Sequence, residues 1–404
     1  MAVEARRSFA DVGPGGLAPA IPRPAAETAP PAAATGDFDR VLAATVLCLV
    51  AFGLVMIYSA SHVQALRQFG SSTYFLSRQV LFAGLGVATM IGMSYVPFRL
   101  YRALTYPILA AGLLGLIAVV GGAGTTIRGA TRWIAFGPVN LEPSELAKIA
   151  VVIWLCYSVA KKRDLVRSFS VGFVPHMLLA GLTAFLCLLQ PDFGSAMIIA
   201  FMTFAILFVA GARISYLIGS LFVAVPVVYQ VIAGSAYRSA RILSFLDPWK
   251  DRLKTGYQLV ESQIGFGAGG VLGQGIGEGR QKLLFLPDAH NDFISSIVGE
   301  ELGLVGVLLL LGAFGLLLAR GYAIARRCRD TFGGFLAFGL TTLIGLQAIV
   351  NVGVAMGALP TKGLALPFVS YGGSSLLVHM ASVGILLNIS RHAGATPAEA
   401  DDGR

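Results

Sequence analysis

The stretch Leu283–Gly303, LLFLPDAHNDFISSIVGEELG, gathers Asp288, Asp292, Glu300 and Glu301 around one of only five histidines, His290. It runs from a long polar segment straight into VGVLLLLGAFGLLLA. Charge at the mouth of a hydrophobic helix is costly unless it lines a cavity or meets partners, so these carboxylates are candidates for acid–base work. The plainer reading of Asp292 is that it caps the helix after it. Glu300 and Glu301 lie about 12–14 Å along a helix from Asp292. They point about 100° apart, so one of them is expected to pair with a cation inside the protein.

Three other stretches hold polar groups in apolar surroundings. GGAGTTIRGATRWIAFGPVNLEPSELAKIA carries Arg132 and Trp133, an interface anchor, and Glu145 and Lys148, three apart at a helix start. That spacing suits a structural ion pair. The competing reading has Arg132 and Lys148 facing an anionic ligand. QPDFGSA, Gln190–Ala196, is a tight turn in which Asp192 can cap the following helix. LPTKGLALPFVSYGGSSLLVHMASVGILL breaks at two prolines and Gly363, then opens a helix at Tyr371–Ser375. Such an N-terminus offers N–H groups and hydroxyls to an anion, which places Ser370 and Ser374 near a ligand; the alternative is close packing through small residues.

The elements that position these groups are read from composition. Of 404 residues, 56% are hydrophobic and 13% charged, against about 25% charged in soluble domains. The chain is an all-α integral membrane protein, since its apolar runs suit helices and not a barrel. About ten spans are expected, roughly 41–59, 75–95, 101–121, 145–160, 173–189, 194–211, 214–233, 292–319, 333–358 and 370–390. One long loop, about 234–291, joins helices 7 and 8. Its length, DPW motif, amphipathic YQLVESQIGFG and glycine ladder argue for an ordered segment on or in the outer membrane face. Arg40, Arg99, Arg102, Lys161, Arg163, Arg320 and Arg326 fall on one side of this topology, while Arg67, Arg78 and Arg132 are among the few opposite. Both termini are therefore expected in the cytoplasm. Residues 1–37, rich in Ala, Pro and Gly, form a disordered tail; 38–392 form the membrane domain, and 393–404 a second tail. No apolar core follows Arg6 and Arg7 until Val41, so no signal peptide is read.

Several functions fall away. The net charge of +9 is explained by cytoplasmic loops, without nucleic acid. The four cysteines have no CxxC spacing, and no metal site is read. GFGAGG is formally GxGxxG but lacks a strand–turn–helix context. It more readily lets backbone pass close to a neighbour or substrate. No Walker A motif is present. Asn388–Ser390 matches a glycosylation acceptor but sits at the inner end of the last span. From residues alone, a transporter and a membrane enzyme acting on a lipid-linked substrate both stand.

Taken in order, RWIAFGPVNLEPSELAKIA, QPDFGSA, LPDAHNDFISSIVGEELGLVG and LPTKGLALPFVSYGGSSLL resemble the signatures of the SEDS family (shape, elongation, division and sporulation). The resemblance covers about residues 40–391. Lys362 in PTKG and the run EELGL, Glu300–Leu304, are closer to its division branch than to its elongation branch. What the resemblance implies is a peptidoglycan glycosyltransferase of the bacterial inner membrane, at the septum, that polymerises lipid II on the extracytoplasmic face. Its implied partners are a class B penicillin-binding protein and other divisome proteins. The family's essential aspartate falls on Asp292, as general base. Asn291 stands where the family commonly has Thr, and Asp288 where it often has Glu. Arg132, Glu145, Lys148, His290, Lys362, Ser370 and Ser374 are the expected substrate-binding residues. A divalent cation (Mg or Mn) is another way to meet the leaving diphosphate. The other readings are a lipid II flippase, an elongation-type polymerase and a scaffold for the division machinery.

Overall fold

The computed structural model describes residues 37–393 apart from 128, 129, 138, 255, 288, 361 and 362. The tail readings at 1–36 and 394–404, and those for Asp288 and Lys362, lie outside the described residues. Thirteen helices follow in order: α1 Arg40–Phe69, α2 Tyr74–Tyr95, α3 Phe98–Ala103, α4 Thr105–Ala118, α5 Pro143–Lys162, α6 Val174–Leu189, α7 Phe193–Val209, α8 Ile214–Ala233, α9 Ala236–Leu246, α10 Tyr257–Gly269, α11 Ile294–Arg327, α12 Thr331–Ala355 and α13 Gly373–Ala393. Among the described residues nine helical stretches are long and apolar enough to cross a membrane, and α7 is a shorter apolar helix. Each of the ten expected spans falls on one of these. The third begins early, as the short α3 followed by α4.

Burial ranks the helices. α5 and α13 have 72% of their apolar window buried and α12 67%, so these three form the centre. α8, at 6%, stands at the margin. Central helices with polar groups and marginal ones without are what a bilayer requires, because a polar group facing lipid has no partner.

Two features were not read from the sequence. The segment between α4 and α5 is a three-stranded antiparallel sheet, β1 Thr125–Ile127, β2 Ala130–Phe136 and β3 Val139–Leu141. Ile134 faces Leu141 and Phe136 faces Val139 in its second ladder. TRWIAF is a short β-branched and aromatic run, which a membrane-span reading absorbs as interface residues.

The second is a break in α11. Gly303 has φ 64° and ψ −161°, far from helical values and open to glycine alone. A break leaves carbonyls before it and N–H groups after it unpaired. The glycine ladder supplies their partners. Gln274 N and Gly275 N donate to the carbonyls of Glu300 and Glu301, each at 3.0 Å. Leu304 N and Val305 N donate to Gly270 O (2.9 Å) and Val271 O (3.2 Å). A Cβ at Gly273 would collide with the Glu301 carbonyl, so the ladder approaches as backbone. The neighbour that the glycines admit is therefore α11, inside the protein.

The same contact locks the two glutamates. Glu301 is fully buried, 2.8 Å from Lys282 Nζ and bonded by the Ser59 hydroxyl. Glu300 accepts the backbone N–H of Arg280 (2.7 Å) and of Gln281. One glutamate thus takes a cation and the other takes amides. Lys282→Met, leaving Glu301 buried without its cation, is expected to cost about 3–5 kcal/mol. Adding Glu301→Gln should return most of the loss. Thermal unfolding of both variants in detergent tests this; an unchanged single variant would show that the pair contributes nothing.

Candidate active site

At one end of the bundle the sequence blocks are stitched together mainly by side-chain hydrogen bonds to backbone groups. Asn351, buried on α12, donates through Nδ2 to the carbonyls of Asp292 (2.9 Å) and Leu364 (2.6 Å). Its Oδ1 accepts from the Ser295 hydroxyl at 3.3 Å. One side chain therefore holds the segment carrying Asp292 against the chain after Gly363. Asp292 is half-buried, just before α11; Phe293 holds the N-cap position. A Cβ at Gly363 would lie 2.9 Å from Asp292 Oδ2, so glycine leaves the space that the carboxylate occupies.

Ser370 and Ser374 do not point into open space. The Ser370 hydroxyl donates to Asn291 O (2.6 Å) and accepts from Leu366 N (2.9 Å). Tyr371 N donates to His290 O at 2.9 Å. The Ser374 hydroxyl donates to Asn140 O (2.6 Å) and accepts from Glu142 N (3.2 Å). Ser370 thus joins the last block to the aspartate segment, and Ser374 joins it to the sheet and the start of α5. Gln79 on α2 adds a bond from Nε2 to Ser370 O (3.4 Å) and one from Gly372 N (3.3 Å). His290 is buried, its ring centroid 4.5 Å from that of Phe75 and 5.7 Å from that of Tyr371. Burial raises the Tyr371 phenol above its usual value, against the pull of Arg78, so it stays neutral.

The charged group beside this centre is paired. Glu145 Oε1 and Lys148 Nζ are 2.8 Å apart, both buried, as the ion-pair reading required. Arg132 on β2 donates to the carbonyls of Gln190 and Pro191 and lies 3.8 Å from Asp192 Oδ1. The same Asp192 oxygen accepts from Ser195 N at 3.1 Å, capping α7. Arg132 thus pins the QPD turn to the sheet. Among the described residues no group of three or more His, Cys, Asp or Glu could hold a metal ion.

Two residues escaped sequence reading. Asn351 is a lone amide in QAIVNVGVA, and that isolation was the available signal. Glu142 stands before α5, and its carboxyl is pushed up to about 8. The causes are burial first, then the nearby Glu145 and Asp192, against the pull of Lys148 and Arg132. Its ordinary value is 4.5, so the folded protein binds more protons than the unfolded chain between these values. Glu142 therefore lowers stability as pH rises from 4.5 to about 8. Glu142→Gln stays neutral, so its thermal midpoint is expected to gain on the wild type across that window. A difference that does not change with pH would refute this. Asn351→Leu removes two bonds to buried carbonyls and is expected to cost about 1–3 kcal/mol. It should lower activity by more than this loss of folded protein, since the aspartate segment loses its clamp; a proportionate fall would contradict the clamp.

The pattern that defines the FtsW/RodA/SpoVE family, described as cell cycle protein, matches residues 39–395. The chain belongs to the SEDS family. It is FtsW-like: "Probable peptidoglycan glycosyltransferase FtsW" of Geobacter metallireducens is 48% identical over 361 residues, 89% of this chain and 96% of that protein. The protein of the same name in Trichlorobacter lovleyi is 45% identical, covering 91% and 97%. Among solved structures, a chain from a peptidoglycan synthase complex that coordinates polymerization and crosslinking is 33% identical. Its TM-score is 0.75, over 89% of this chain and 99% of that one. The rod shape determining protein RodA of Thermus thermophilus is 29% identical with TM-score 0.64, covering 89% and 98%. The SEDS blocks are thus the segments that Asn351, Ser370 and Ser374 hold together.

Proposed function

We propose that this SEDS protein is a peptidoglycan glycosyltransferase that polymerises lipid II into glycan strands during cell division, with Asp292 as general base. The observation that carries the reading is the half-buried Asp292, its backbone clamped by Asn351 and its carboxylate beside Gly363, where the family's blocks meet. The reaction joins the 4-hydroxyl oxygen of one N-acetylglucosamine to the anomeric carbon of the next disaccharide. Asp292 takes the hydroxyl proton as the new bond forms and the undecaprenyl diphosphate leaves with its electron pair. A half-buried carboxylate with solvent access suits this, because it can take the hydroxyl proton and pass it to water. The activated diphosphate makes ATP unnecessary.

The remaining residues divide by how they are held. Arg132, Glu145, Lys148, Ser370 and Ser374 shape the site, since their polar groups are engaged with protein in this state. Lys362, the chain neighbour of Gly363, is the residue proposed to meet the diphosphate directly. His290 holds the aspartate segment against α2 and Tyr371. The Asp292 end of the bundle is extracytoplasmic in this reading, both termini are cytoplasmic, and the protein works at the septum. Its partners are a class B penicillin-binding protein, which crosslinks the strands, and other divisome proteins.

The test is glycan synthesis by purified protein from lipid II in detergent, alone and with its cognate synthase, with and without Mg or Mn. Polymer is expected. Translocation of labelled lipid II across liposomes without polymer would overturn the reading in favour of a flippase.

A further inference from the structure

A second polar site lies at the other end of the bundle. α5 is 20 residues long, so its C-terminal end is about 30 Å from the end where it meets the Asp292 region. A cavity of ≈ 590 Å³ opens there between the ends of α5, α7 and α12. Arg163 and Arg167 line it together with Thr331, over an apolar wall that includes Val159, Val166 and Phe335. A smaller hollow of ≈ 150 Å³ adjoins it, shares Arg163 and Thr331, and adds Arg102, Arg329 and Asp330.

Four arginines thus line two adjoining hollows whose described lining includes one carboxylate. That carboxylate caps α12: Asp330 Oδ1 accepts from Gly333 N at 2.7 Å. Among the described residues no ion pair engages any of the four arginines. Arg163 reaches the Thr331 hydroxyl at 3.4 Å. All four arginines are exposed, and Arg163 and Arg167 stand beside the buried Val159 and Val166 of the larger cavity. Arg163 adopts φ 33°, a left-handed conformation that a side-chain-bearing residue rarely takes, at a cost of about 1–3 kcal/mol. An apolar wall beside forked donors fits a ligand with a phosphate next to hydrocarbon.

We propose that this cavity binds a phosphate-bearing anion, with Arg163 and Arg167 gripping the phosphate and the Val159–Phe335 wall taking its apolar part. The site is separate from Asp292 and does not depend on the reaction assigned to it. The shared chemistry has two sources, an anionic phospholipid headgroup and a soluble phosphate.

The experiment places the full-length protein in nanodiscs of phosphatidylcholine, with or without one third phosphatidylglycerol, and in phosphatidylcholine with inorganic phosphate. Thermal midpoints are measured, and lipid retained after extraction is counted by native mass spectrometry. Phosphatidylglycerol is expected to be retained and to stabilise. Arg163→Gln with Arg167→Gln should lower retention about tenfold or more. The charge-matched control, Arg326→Gln with Arg327→Gln, should retain it. Stabilisation by inorganic phosphate, lost in the same double variant, would assign the site to a soluble phosphate instead of a lipid. Equal behaviour of wild type and double variant, or an equal loss in the control pair, overturns the proposal. If the glutamine variant does not fold, Ala210→Phe fills the cavity with every charge kept. It should lose the lipid too; retention in that variant also overturns the site.

Discussion

Asp292→Asn is expected to lower the rate of glycan synthesis from lipid II by a factor of about 10²–10⁴, the contribution of a well-placed general base. The substitution keeps the side chain's shape while removing its negative charge and its ability to take a proton. The clamp should survive, because Asn351 bonds the backbone carbonyl of residue 292 and not its carboxylate. Expression, thermal midpoint and detergent behaviour should therefore match the wild type. The readout is polymer length and amount on a gel, with thermal unfolding in parallel. Wild-type polymer from a folded variant would remove Asp292 from the chemistry. A variant that unfolds would instead make it a structural residue.

Gly363→Ala is the second substitution with a large expected effect, and it touches no charge. A methyl group there would stand 2.9 Å from Asp292 Oδ2 and 3.8 Å from Oδ1. Gly363 is exposed and does not have a left-handed φ, so the backbone accepts alanine without strain. The carboxylate is the far end of a rotatable side chain, and it is what must move. Displacing a reacting group by about 1 Å can cost about 10²-fold in rate. Activity should fall by one to two orders of magnitude while the thermal midpoint shifts by little. Equal activity in Gly363→Ala would show that the carboxylate has room to work from another rotamer. The pair of variants separates two properties: Asp292→Asn removes the base in place, and Gly363→Ala moves it intact.

Much of the scaffold was legible because the bilayer leaves few choices. Ten apolar runs became ten helices, since backbone polar groups in hydrocarbon must be satisfied within the segment. The short ion-pair spacing of Glu145 and Lys148, and the capping role of Asp192, were legible for a similar reason. Both are local, and helix geometry places residues three apart on one face. Ser370 and Ser374 show where local reading stops. A helix start rich in serine and glycine suggests hydroxyls offered to an anion. Yet both hydroxyls are bonded to the carbonyls of Asn291 and Asn140, residues 79 and 234 positions away in the chain. Glu300 and Glu301 show the same limit, for nothing local says that one meets Lys282 and the other two backbone amides.

The sequence by itself determined that this is a helical membrane protein, and its motif blocks carried the resemblance to the SEDS family, to which the chain belongs. Periodicity, hydropathy and motif order are one-dimensional properties, and they carry that much. Only the tertiary structure decided what surrounds Asp292. It placed a single buried amide, Asn351, between two distant segments, left Gly363 without a side chain beside the carboxylate, and broke α11 at Gly303 so that the glycine ladder could complete its hydrogen bonds. Those are contacts between residues far apart in the chain. Their energies depend on distances of a few tenths of an ångström, which no spacing along a sequence encodes.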